Sequence, residues 1–82
     1  MHEVGIAHSI VEAVRTEMKS YPAAKPVKVT VAIGAMSGVD KDSLSFGFEA
    51  ITRGTPFENM ILAIEDAPAD ELELKHLELE EP

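Results

Sequence analysis

Apolar side chains recur at Ile6, Ala7, Ile10, Val11, Val14 and Met18, with Glu12, Arg15, Thr16, Glu17 and Lys19 on the opposite side. That spacing predicts an amphipathic helix over Gly5–Ser20. Its β-branched residues are modest helix formers, but they lie on the buried stripe, where packing outweighs propensity. The segment Tyr21-Pro22-Ala23-Ala24-Lys25-Pro26 then ends the helix, because proline cannot continue the hydrogen-bond ladder and the residue before it avoids the α region. The period next drops to two. Val27, Val29, Val31 and Ile33 alternate with Lys28, Thr30 and Ala32, which predicts a strand with one buried face.

Gly34-Ala35-Met36-Ser37-Gly38 reads as a turn whose glycines are free to take positive φ. Asp40 is placed to cap a second helix, with Val39 and Leu44 as its hydrophobic staple and Gly54 as the residue that stops it. Leu44, Phe48 and Ile51 face inward on that helix, with Phe46 and Ala50 along its edge. Ser45, Gly47 and Thr52 weaken its intrinsic propensity, so it depends on tertiary contacts. From Asn59 to Glu65, Met60, Leu62 and Ile64 share one face and Ile61 and Ala63 the other. A strand apolar on both faces is expected to be covered on both sides or central in its sheet.

After a connection at Asp66–Asp70, Glu71–Glu80 forms a last strand whose phase slips. Leu72 and Leu74 share one phase, Leu77 and Leu79 the opposite one. One extra residue, expected to be His76, would repair the slip as a β-bulge. A connection of about five residues suggests that the last two strands form an antiparallel hairpin. The expected fold class is therefore α/β, of the two-layer α+β kind, in the order helix-strand-helix-strand-strand. Two helices lie on one face of a three-stranded sheet, in a single domain spanning residues 1–82.

Composition narrows the possible functions. The 82 residues include no cysteine, which excludes disulfides, thiol catalysis and cysteine-ligated zinc within this sequence. Net charge is −8, from 15 acids against 7 lysines and arginines. Such a field repels phosphate backbones and favours cations or basic protein surfaces, so nucleic acid is not an expected partner. The sequence has no apolar run of membrane-spanning length and no basic segment followed by an apolar core at its start, so no membrane is expected and the location is expected to be cytoplasmic. No nucleophile stands in a base-and-nucleophile setting, and Gly34–Gly38 lacks the lysine of a phosphate-binding loop. An enzyme is not expected.

Candidate chemistry collects in Met1-His2-Glu3. An α-amine, the amide nitrogen of the second residue and its imidazole can close two fused chelate rings around one divalent ion, and planar nitrogen donors favour Ni(II) or Cu(II). Amines of this kind ordinarily titrate near ~8 and imidazoles near ~6.5, so both give up their protons readily at neutral pH. A large second residue also discourages removal of Met1. His8, on the flank of the apolar stripe, reads as a surface histidine.

Several separated features occur together: Met1-His2-Glu3 before Ile6-Ala7-His8-Ser9-Ile10-Val11, then Ile33-Gly34-Ala35-Met36-Ser37-Gly38-Val39, Leu44-Ser45-Phe46-Gly47-Phe48-Glu49, Thr52-Arg53-Gly54-Thr55 and Glu71-Leu72-Glu73-Leu74. In order and spacing this set resembles the HypA/HybF family of hydrogenase nickel-incorporation proteins. The resemblance implies a nickel metallochaperone that passes Ni(II) to the large subunit of a [NiFe]-hydrogenase, with the GTPase HypB as partner. It implies nickel held by the His2 imidazole and main-chain nitrogens at the N-terminus, with Glu3 beside them.

Members of that family carry a zinc module with two Cys-x-x-Cys pairs, inserted where Asp66–Asp70 stands here. Its absence, expected to leave the sheet intact because the flanking strands are neighbours, removes zinc as a cofactor. It also removes one source of a fourth nickel ligand, leaving water, His76 or a donor from another chain. A homodimer through the exposed sheet or helix surface, with strand exchange at the short connection, is a further expectation. The competing readings are a docking module that binds the GTPase or hydrogenase without delivering metal, and a general N-terminal binder that prefers Cu(II).

Overall fold

A computed structural model describes residues 2–82. Helix α1 spans Glu3–Met18, strand β1 Lys25–Gly34, helix α2 Lys41–Thr52, strand β2 Ile61–Ala67 and strand β3 Leu72–Glu80. The element order is the one expected. Helix α1 starts two residues earlier than its apolar stripe predicts, because the first turn is closed by Ile6 N–H donating to the His2 carbonyl at 3.1 Å.

Both helices pack on one face of the sheet. Ala7, Ile10, Val11 and Val14 of α1 and Leu44 and Phe48 of α2 meet Val29, Val31 and Ile33 of β1, with Phe57 and Met60 completing the core. The period-two reading of β1 therefore holds for its inward residues. Helix α2 is capped as predicted: the Asp40 carboxylate accepts from Ser43 N–H at 3.0 Å, an arrangement worth about 1 kcal/mol. Gly54 takes φ +76° just beyond the helix end.

The sheet corrects the expected topology. Its order is β2-β1-β3, so β1 is central and β2 and β3 do not pair. Strands β1 and β2 run parallel, Val29 beside Leu62 and Val31 beside Ile64, whereas β1 and β3 run antiparallel. The expected hairpin is absent. Helix α2 is the crossover of a β-α-β unit, which makes β1 and β2 parallel. The short connection then wraps the end of β1, where Gly34 N–H donates to the Glu71 carbonyl at 2.7 Å and Met36 N–H to the Ala69 carbonyl at 2.8 Å.

Three local expectations change with it. Strand β2 is an edge strand, neither central nor covered on both sides, and Ile61 on its open face is 57 % exposed. The bulge in β3 lies where predicted, but its odd residue is Lys75: Thr30 pairs with His76 and Val31 with Leu74, leaving Lys75 between them. A second irregularity between Pro26 and Lys28 leaves Val27 without a partner and exposed despite its apolar phase. Phe46, expected along an edge of α2, projects into solvent.

Candidate metal centre at the start of the first helix

His2 occupies the N-cap position of α1 with φ −85° and ψ 85°. Its side chain makes no capping hydrogen bond and is exposed, so among the described residues the imidazole is open to solvent. The first N–H groups of a helix find no carbonyl within it. The main-chain nitrogens at this end are thus uncommitted to the ladder that holds every later amide of α1. Once a metal displaces the proton of an amide there, an imidazole beside main-chain nitrogens would be a donor set suited to a borderline divalent cation such as Ni(II). Met1, expected as a third contributor, lies outside the described residues.

Glu3 is engaged otherwise. Its Oε2 accepts a hydrogen bond from Asp40 N–H at 3.0 Å, linking α1 to the residue that caps α2. That amide, followed by Glu3's own, holds the carboxyl below the usual carboxylate range, because a donor aimed at the charged form favours it. The other wall of the site is α2. A Cβ added at Gly47 would lie 3.3 Å from Val4 Cγ2 and 3.6 Å from Val4 Cα, so the first turn of α1 rests almost directly on the backbone of α2. Between the two helices opens a shallow cleft of about 670 Å³ lined by His2, Glu3, Val4, Asp42, Ser43, Phe46 and Gly47.

Asp42, Ser43, Phe46 and Gly47 were not singled out for the site by sequence, although a glycine inside an amphipathic helix was a signal of close approach. The other histidines are elsewhere. His8 is exposed on α1, and His76 lines a separate cleft with Lys28, Thr30 and Lys75, on the sheet face that the helices leave open. His76 is therefore not brought to His2 within this chain. Among the described residues no three histidine, aspartate or glutamate side chains cluster closely enough to hold a metal ion. Any metal held at this end would be held by the His2 imidazole and main-chain nitrogen, because the described residues supply no side-chain cage.

Fold and site together define a small two-layer α/β protein whose first helix begins at an exposed histidine beside main-chain nitrogens outside the helical ladder. The family described as "Hydrogenase/urease nickel incorporation, metallochaperone, hypA" matches residues 1–72, and the chain belongs to this HypA family, one of metallochaperones rather than enzymes. A hydrogenase maturation factor HypA from Geotalea daltonii is 46 % identical over 69 residues, covering 84 % of this chain and 60 % of the relative. The corresponding protein of a Roseiflexus species is 40 % identical, covering 83 % and 55 %.

The solution structure of the nickel metallochaperone HypA from Helicobacter pylori superposes with TM-score 0.73 at 24 % identity over 93 % of this chain and 72 % of that one, a likeness of fold. A second HypA solution structure gives TM-score 0.67 at 30 % identity, over 80 % and 56 %. The chain spans about 60 % of the length of the first of these curated relatives. Among the described residues no helix is long and apolar enough to cross a membrane.

Proposed function

We propose that this domain is a nickel carrier that takes Ni(II) through the Met1 amine, main-chain nitrogen and the His2 imidazole, with Glu3 beside them, and passes it on for [NiFe]-hydrogenase maturation. The observation that carries this reading is the state of His2: an exposed imidazole with no capping bond, on a helix end whose main-chain nitrogens have no helical acceptor. The family match supports nickel as the cargo. In this reading a HypB-type GTPase and the hydrogenase large subunit are the partners, the protein works in the cytoplasm, and the zinc module of the family is missing at residues 66–70, in a chain without cysteine. A homodimer, if formed, supplies a fourth donor from a second chain.

Calorimetric titration of untagged protein bearing a free Met1 amine with Ni(II), beside His2→Ala, tests the reading. One-to-one binding with the visible band of planar nickel, lost in the variant, is expected. A second reading, a docking module without metal delivery, is favoured by Phe46 and Val4, which stand 76 % and 53 % exposed beside the same cleft. Absent nickel binding, or binding indifferent to His2→Ala, would replace the first reading with the second.

A further inference from the structure

Gly47 has no conformational reason to be glycine. It is a buried residue in the middle of α2, where glycine is a poor helix former. Positive φ occurs only at Gly38 and Gly54 among the described glycines, so Gly47 does not serve a left-handed turn. What its missing side chain provides is space. A Cβ there would meet Val4 Cγ2 at 3.3 Å, Val4 Cα at 3.6 Å and Val4 N at 3.9 Å. The nearest of these contacts requires the half-exposed Val4 side chain to yield by a few tenths of an ångström for a methyl group, and a branched side chain would crowd the Val4 main chain as well.

Val4 is two residues from His2, inside the turn closed by Ile6 N–H on the His2 carbonyl. A displacement of Val4 away from α2 therefore carries His2 and Glu3 with it as one unit. Glu3 is also held from the α2 side, by Asp40 N–H at 3.0 Å. The first turn of α1 is thus fixed at two points of α2, one a hydrogen bond at the helix entry and the other a notch almost two turns further on. Metal donors perform best when their supporting residues lock them to within about half an ångström.

We infer that Gly47 is a positioning residue for the N-terminal metal site: its notch seats Val4, and through Val4 sets His2 and Glu3 against α2. This rests on the nickel-binding reading for its purpose, but the seating itself is independent of metal. The test uses Gly47→Ala, Gly47→Val and the exchange Val4→Gly/Gly47→Val, which moves the isopropyl group from one wall to the other. Three quantities are read: hydrogen exchange at the Asp40 amide without metal, Ni(II) affinity with its visible spectrum, and the thermal midpoint.

Gly47→Val is expected to expose the Asp40 amide to exchange and to weaken nickel binding about tenfold or more, the usual cost of losing support around a ligand. The exchange variant is expected to restore both, whatever the midpoint does. Unchanged Asp40 exchange and unchanged affinity in Gly47→Val, or no recovery in the exchange variant, would overturn the inference. If Gly47→Val does not fold, Gly47→Ala decides by the same two readouts, with smaller changes in the same direction. If the unaltered protein binds no nickel, the proposed function fails, and the Asp40 amide alone decides whether Gly47 seats the helix.

Discussion

Ala69 takes φ 53°, the left-handed region, which costs an L-residue roughly 1–2 kcal/mol. Its surroundings explain why the conformation is kept: its carbonyl accepts from Met36 N–H, and the chain passes so close over β1 that a Cβ at Gly34 would stand 2.2 Å from the Ala69 oxygen. Of the two residues in this crossing, the one passed over is glycine and the one that bends carries a methyl group. Ala69→Gly relieves the bend but frees the unfolded chain, an offset of about 0.5–1 kcal/mol. A net gain of about 0.5 kcal/mol is expected, which in a domain of this size raises Tm by roughly 2–4 °C in a thermal melt followed by circular dichroism. A lower Tm would mean that the methyl packs well enough to outweigh the strain. Gly34 itself was legible as a special position but for another reason. Sequence suggests a turn glycine with positive φ, whereas the structure requires it for close backbone approach, a distinction only the crossing chain reveals.

Helix α2 was the most legible element: its Asp40 cap, its inward Leu44 and Phe48 and its Gly54 stop all follow from side-chain chemistry acting within a few residues. What could not be read is the face it offers to α1, because Gly47 and Phe46 take their meaning from a partner helix distant in sequence. Two carboxylates from other elements hold the α2 entry, Glu3 on Asp40 N–H and Asp66 on the Lys41 ammonium. Each carboxyl is held below the usual range, Glu3 chiefly by the Asp40 amide and Asp66 by the hydrogen bond from Lys41. A carboxylate whose pKa is lower folded than unfolded contributes stability above its unfolded value, and that contribution is lost as pH falls through the folded value. Both links are therefore intact through neutral and mildly acidic pH and open together below the ordinary carboxylate range. An NMR titration is expected to show the Asp40 amide shift following Glu3, with its inflection below that of an unperturbed glutamate. An inflection at or above the ordinary glutamate value would remove Glu3 as a link between the helices.

The arrangement of the sheet was legible in its parts and misread in its order. Strand-helix-strand already implied that β1 and β2 are parallel neighbours, but the short connection after β2 suggested a hairpin, and the double apolar face of β2 suggested a central strand. Residues 68–71 instead carry the chain over Gly34 to the far side of β1, where Leu72 falls beside Ile33 and the ladder runs on to Glu80 beside Lys25. The flanking strands are not neighbours, so it is the register on β1, not the shortness of the connection, that holds β3 in place. A segment inserted at the wrap would lie outside both ladders. Lengthening the connection by about ten glycine and serine residues between Ala69 and Asp70 is expected to cost about 1 kcal/mol of loop-closure entropy. The lost bond from Glu71 N–H to the Pro68 carbonyl, which spans the insertion, would add about 1 kcal/mol. Urea unfolding would report that modest loss, and hydrogen exchange would show the amides of Val29 and Val31 still among the best protected, with β3 paired as before. Loss of β3 protection would show instead that the tight wrap, rather than the antiparallel ladder, fixes the third strand, and that no module could be accommodated there without a second anchor of its own.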